Sequence, residues 1–218
     1  MRKFLQTFAV LIASSLCFAT TVKIDDSKAV FHDHKVYQLY WSTETKNPII
    51  VWWTLTASQA TASENASNRA DDFRECSLGS ASLKDYYKSS YDRGHQAPNN
   101  DFDYSKQTSS LTFLMCNICP QSAKLNRGSW KKYEVYGHKL AIDYGRVDIV
   151  CGPIYDYTKS PVCIGEDNVR VPDYFFKAFH YMKDGVSIVE SYLFDQAGNV
   201  YTTALSYFEG ASNVKILF

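Results

Sequence analysis

"YDRGHQAPNNDFDYSKQTSSLTFLMCNICPQSAKLNRGSWKKYE", residues 91–134, sets Asp92-Arg93-Gly94-His95 ahead of Asn117, Asn126 and Glu134. A core segment has little use for so much polarity, whereas a reaction centre needs it. A histidine titrating near neutrality can take a proton from water. Arg93 can hold an anion, and Gly94 lets backbones approach closely. The run at 122–143, "SAKLNRGSWKKYEVYGHKLAID", is the best helix of the chain. On a regular helix, residues eight apart are separated by about 80° around the axis and about 12 Å along it. Asn126 and Glu134 would then share one side, with Trp130 between them. Taken singly, each residue has a plainer explanation: a structural histidine, a helix cap at Asn126, a solvated carboxylate at Glu134.

Outside this stretch the chain is rich in strand formers. "AVFHDHKVYQLYW" and "PIIVWWTLT" read as two strands of a hairpin. Later, "GRVDIVCGPIYD", "VRVPDYFFKAFHYM", "VSIVESYLFD" and "VYTTALSYF" read as further strands. The expected fold is α+β, with a mainly antiparallel sheet interrupted by one functional helix. Residues 56–72 are small and polar and read as a surface loop with room for a short helical turn. With 218 residues, 45% of them hydrophobic, the chain can bury a core, and residues 20–218 are expected to form one domain. Basic and acidic residues number 23 each, so a nucleic-acid footprint must be a local patch. Lys124, Arg127, Lys131 and Lys132 form the only dense basic helix surface.

The opening residues, "MRKFLQTFAVLIASSLCFATTVK", have the layout of a secretory signal peptide cleaved after Ala19. The apolar run is short for a membrane anchor, so the expectation is a secreted or periplasmic protein without a membrane span. Cleavage would leave 21 basic and 23 acidic residues, a net charge of −2. It would also leave five of the six cysteines: Cys76, Cys116, Cys119, Cys151 and Cys163. Five choices of free thiol times three pairings give 15 arrangements, and the sequence does not choose among them. Cys116-Asn117-Ile118-Cys119 has CxxC spacing, but a zinc site would need a second ligand pair. His32 and His34 alternate on one strand and could ligate a metal, although without third ligands a solvated strand face is the simpler reading. Tyr37, Tyr40, Trp41, Trp52 and Trp53 read as core and sheet-face aromatics.

The blocks "DRGHQAP", "CNICPQ", "LNRGSWKKYE", "VCGPIY" and "VPDYFFKAF", in this order and with these gaps, resemble the DNA/RNA non-specific endonucleases of the ββα-metal superfamily. The resemblance implies a ββα-metal nuclease fold and hydrolysis of phosphodiester bonds in DNA and RNA, leaving 5′-phosphate ends. It implies that His95 is the general base and that Asn126 carries one divalent ion, Mg2+ or alternatively Mn2+. Asn117 would support the histidine and metal network, and Glu134 would hold water bound to the ion. Arg93 would contact phosphate. Arg69, in "NRADDFR", matches the family's upstream arginine less closely, and Arg127 is a further substrate contact. An inhibitor protein is an expected partner. Two other readings stay open at this point: a catalytically silent nucleic-acid-binding module on the same scaffold, and a hydrolase of small nucleotide phosphodiesters. Cys119 departs from the hydroxyl residue usual in the family's block.

Overall fold

The computed structural model describes residues 20–64, 66, 68–77 and 79–218, so the expected signal peptide at 1–19 lies outside the described residues. The strands are β1 (Thr21–Ile24), β2 (Ala29–Asp33), β3 (Gln38–Ser42), β4 (Pro48–Thr56), β5 (Tyr91–His95), β6 (Ile118–Ser122) and β7 (Arg146–Ile154). They continue with β8 (Cys163–Ile164), β9 (Val169–Arg170), β10 (Tyr174–Lys183), β11 (Val186–Asp195), β12 (Val200–Thr202) and β13 (Val214–Leu217). The α-helices are α1 (Ala57–Glu64), α2 (Lys106–Thr112), α3 (Lys131–Tyr144) and α4 (Leu205–Ser212).

Seven strands form one sheet in the order β12-β11-β10-β7-β4-β3-β2, every neighbouring pair antiparallel. Its central strands read as nearly unbroken apolar runs because both faces are covered. Along β4, Ile50 and Trp52 join Val150, Phe176 and Phe208 on one face. Val51, Trp53 and Leu55 join Leu140, Ile149 and Phe179 on the other. This is the two-residue alternation of a pleated strand. Among the described residues no helix is long and apolar enough to cross a membrane.

Three sequence expectations need correction. The first expected hairpin is a three-stranded meander, because β2 and β3 pair within "AVFHDHKVYQLYW" and β4 then adds to β3. The short helical turn allowed within 56–72 is longer, the eight-residue α1, which packs beside α3. "VYTTALSYF" is a strand only at β12. Its remainder opens α4, whose Phe208 stacks on Phe176 with ring centroids 4.3 Å apart. Burying one such ring contributes about 1.5–3 kcal/mol, enough to override the strand preference of its aromatics.

β5 and β6 form a separate antiparallel pair, with Gly94 opposite Cys119 and His95 opposite Ile118. The chain then enters a π-helical turn, Leu125–Trp130, that runs directly into α3. Two strands and a helix of the expected ββα unit are therefore present. The helix is not regular, however, since the wide turn holds Asn126 and the backbone leaves helical geometry at Gly128. Angular reckoning on a 3.6-residue helix does not carry from Asn126 to Glu134. α3 lies close against the sheet at Gly137, where an added Cβ would come within 3.1 Å of both Ile149 and Phe179.

A buried ion pair fixes the other side of α3. Nε2 of His138 lies 2.9 Å from Oδ1 of Asp101, whose Oδ2 accepts a 2.8 Å hydrogen bond from Nε1 of Trp53. Burial alone would lower the His138 pKa, but hydrogen bonding and the Asp101 charge outweigh it and raise the value above the ordinary histidine range. A raised folded-state pKa stabilises the fold fully below the unfolded value, about 6.5, and that contribution fades as pH climbs through the raised value. Melting temperatures followed upward from about pH 6.5 should therefore fall more steeply in the wild type than in His138→Gln. Parallel curves would show that the pair contributes nothing.

Candidate active site

His95 ends β5 between two phenyl rings, its centroid 5.5 Å from Phe73 and 5.0 Å from Phe113. Those rings meet edge to face at 4.9 Å, a preferred aromatic geometry. The Arg93 guanidinium lies 4.0 Å from the Phe73 centroid, and that of Arg69 lies 4.9 Å from Phe113. Two cations and one imidazole thus share a single aromatic platform. The His95 carbonyl accepts a 2.9 Å hydrogen bond from Nε1 of the buried Trp130. Its Nε2 is enclosed and has no hydrogen-bond partner among the described residues. Burial, then the charges of Arg69 and Arg93, push the His95 pKa down to about 3. The imidazole is therefore neutral at physiological pH.

Asp92, one turn of strand before His95, organises the π-turn. Its Oδ2 accepts from Nδ2 of Asn126 at 2.9 Å and from Nε of Arg127 at 2.8 Å. Its Oδ1 accepts from Nη2 of Arg127, also at 2.8 Å. The hydrogen bond from Arg127 holds the Asp92 carboxyl below the usual carboxylate range. Because Nδ2 of Asn126 is spent on Asp92, the amide presents Oδ1 as its free acceptor. Arg127 is already paired in a bidentate bridge, though its side chain remains 73% exposed.

Glu134 is half-buried on α3 and lines the same cavity of roughly 720 Å3 as His95, Arg93, Arg69, Asn126 and Arg127. Burial pushes its carboxyl up to about 7, with the ammonium of Lys177 pulling the other way. That Lys177 is a buried cation whose Nζ sits 3.9 Å from the Trp130 ring centroid. A second cavity of roughly 540 Å3 shares Arg69, Arg93, Asn126 and Arg127 with the first and extends along Tyr87, Lys88 and Tyr91. The result is an elongated groove.

Asn117 is the expected support of the histidine and metal network. Its side chain does not line the groove but is wholly buried, with Oδ1 accepting from the Ala97 N–H at 2.9 Å. Its Nδ2 donates to the carbonyls of Ala97 and Thr112 at 2.8 and 2.9 Å. Asn117 therefore fixes the chain just beyond His95 and reaches the centre only through that backbone. Gly94 is required for a related reason, since a Cβ there would fall 2.2 Å from Oε1 of Gln121. Asp92, Phe73 and Phe113 were not anticipated as site residues. Asp92 stood in view three residues before His95, whereas nothing local marks either phenylalanine.

The family profile of DNA/RNA non-specific endonucleases matches residues 14–206. The chain belongs to that family. It is 34% identical over 154 residues to the Mitochondrial nuclease of Saccharomyces cerevisiae, covering 63% of this chain and 46% of that protein. Over 162 residues it is 32% identical to Nuclease 1, mitochondrial, of Schizosaccharomyces pombe, covering 68% and 50%. Human Endonuclease G, mitochondrial, is 34% identical over 122 residues, covering 50% and 41%. The chain thus spans about half the length of the curated relatives it matches. A crystal structure described as the EndoG/EndoGI complex aligns with a TM-score of 0.76 at 23% identity, covering 86% of this chain and 84% of that one, which establishes the fold. These relatives overturn the expectation of a secreted or periplasmic protein, because they are mitochondrial nucleases.

Nucleases of this family depend on a divalent metal ion. The residues here fit one: Asn126 has an amide oxygen free of hydrogen bonds and lines a cavity with Glu134, whose carboxyl burial raises to about 7 and a cation would favour in its ionised form. Hard divalent ions favour such oxygen donors and retain several waters.

Truncating Asn117 would orphan three buried backbone groups. Asn117→Ala should lose about 1–3 kcal/mol in urea unfolding, and at full folding its turnover should drop while substrate KM moves little. An unchanged turnover would detach Asn117 from the centre.

Proposed function

We propose that the chain is an endonuclease hydrolysing phosphodiester bonds of both DNA and RNA, with His95 as general base and Asn126 holding one Mg2+, or Mn2+ in its place. The observation that carries this reading is the unpartnered Nε2 of His95, set between two arginines in the cavity that also receives Asn126 and Glu134. Residues 20–218 act as one catalytic unit.

Nε2 of His95 takes the proton from a water as its oxygen attacks phosphorus. Arg93 and Arg69 spread the charge that grows on the non-bridging oxygens. The ion, when bound, relieves negative charge on the phosphoryl group and leaving oxygen. Glu134 provides the negative charge opposite Asn126 and accepts hydrogen bonds from water there. Arg127 approaches the strand backbone from the groove wall, keeping its bridge to Asp92.

The low basicity of His95 fits this scheme. Burial most of all, and then the two arginines, suppress its pKa, and an anionic phosphate between those arginines offsets their share and raises the basicity of the imidazole. Proton abstraction is thereby tied to occupancy by substrate. The joined cavities suit a polymer better than a mononucleotide, and with phosphate contacts dominating, base preference is weak. An inhibitor protein covering this groove is a further proposed partner, in keeping with the inhibitor complex named for the structural neighbour.

Purified protein should nick supercoiled plasmid and degrade RNA with magnesium, and stop with chelator. His95→Ala should lose at least about 100-fold in rate. Asn126→Ala should raise the magnesium requirement. Undiminished cleavage by His95→Ala would remove it as the base, and cleavage of dinucleotides but no polymer would replace the endonuclease reading with a small-phosphodiester hydrolase.

A further inference from the structure

Cys116 does not pair within its CxxC segment but with Cys76, forty residues earlier. The bridge comes to rest beside His32 and His34. Potential ligand atoms of His32, Cys76 and Cys116 lie within 4.8 Å of one another. Nε2 of His34 is 3.6 Å from Sγ of Cys116. The sequence left the two histidines without third and fourth ligands; the fold brings both sulfurs to His32, and His34, outside that three-residue group, approaches Cys116.

From these positions we infer that the reduced protein carries a second metal site, in which His32, His34, Cys76 and Cys116 bind one zinc ion. Two nitrogens and two sulfurs form a closed structural set for this ion. Bonds of about 2.1 Å to nitrogen and 2.3 Å to sulfur in a tetrahedron place nitrogen and sulfur about 3.5 Å apart. The His34–Cys116 spacing already meets that value.

An independent observation points to a ligand. His32 is only 2% exposed, against the expected solvated strand face, and its Nε2 is enclosed without a hydrogen-bond partner. Buried imidazole nitrogens ordinarily find partners, so this one is aimed at something. Burial lowers the pKa of both histidines, that of His34 to about 4, so both are neutral and able to donate a lone pair. Cys76 is half-buried and within reach of a small thiol.

The balance is simple. Two equivalents of a thiol reductant deliver two electrons and two protons to the Sγ–Sγ bond, giving two cysteine thiols and the reductant's disulfide. Zinc then displaces both thiol protons into solvent, leaving a centre with no net charge. The soft sulfur pair distinguishes this site from the oxygen-lined groove, which favours hard ions.

The test uses the full chain carrying Cys163→Ser, because Cys163 is an exposed free thiol. After phosphine reduction, removal of reductant and addition of excess magnesium, zinc should bind at one equivalent and raise the melting temperature. Cobalt should give the absorption of a tetrahedral, thiolate-bound ion. The oxidised chain should show neither. His34→Ala should weaken zinc binding by at least about tenfold, Cys116→Ser should weaken the thiolate band, and the Cys76→Ser, Cys116→Ser double variant should lose it. A reduced chain that is neither occupied nor stabilised by zinc overturns the site. So does a thiolate band that survives in the Cys76→Ser, Cys116→Ser double variant, since Cys119 or Cys151 would then be the ligand.

Discussion

The carboxylate of Asp92 is the interaction on which the centre depends. From one position on β5 it orients the Asn126 amide and clamps Arg127, coupling the strand that carries His95 to the π-turn that carries Asn126. Together with the Trp130 hydrogen bond to the His95 carbonyl, that link sets the proposed base and the proposed metal ligand in one frame. Hydrogen bonds to an ionised acceptor are about twice as strong as neutral ones, which suits a contact that must hold geometry across two elements. The remaining supports act behind it: Asn117 fixes the backbone after His95, and Trp130 reaches back from the helix to the His95 carbonyl.

The site's electrostatics follow from crowding rather than from net charge. The whole chain carries 23 basic and 23 acidic residues, yet Arg69 and Arg93 flank His95 on one aromatic platform. A local cationic cluster of this kind draws a phosphate without making the protein bind polyanions everywhere. Phe73 and Phe113 keep those cations in place while lowering the dielectric around the imidazole.

Much of this centre was legible because its residues are close in sequence: His95 and Arg93 share a motif, and Asn126 and Glu134 lie eight residues apart across the π-turn and the start of α3. The antiparallel sheet was legible from runs of β-branched and aromatic residues. What escaped depends on long-range contacts. The π-turn has no periodic signature, and no side-chain pattern reveals that the hydrogen bonds of Asn117 run to backbone. Alternation placed His32 and His34 together correctly but could not say that the shared side is covered. Cysteine pairing was undetermined for the same reason, since Cys76 and Cys116 are distant in the chain.

The Cys76–Cys116 bridge closes a covalent ring around residues 77–115. His95, Arg93 and Phe113 lie inside that ring, whereas Asn126 and Glu134 lie outside it. Closing a loop of this length restricts the unfolded chain by about 4 kcal/mol in the entropic account. A protease that nicks the chain within the ring would leave both fragments tethered, so the part that carries His95 stays joined to the part that carries Asn126 even after its backbone is broken.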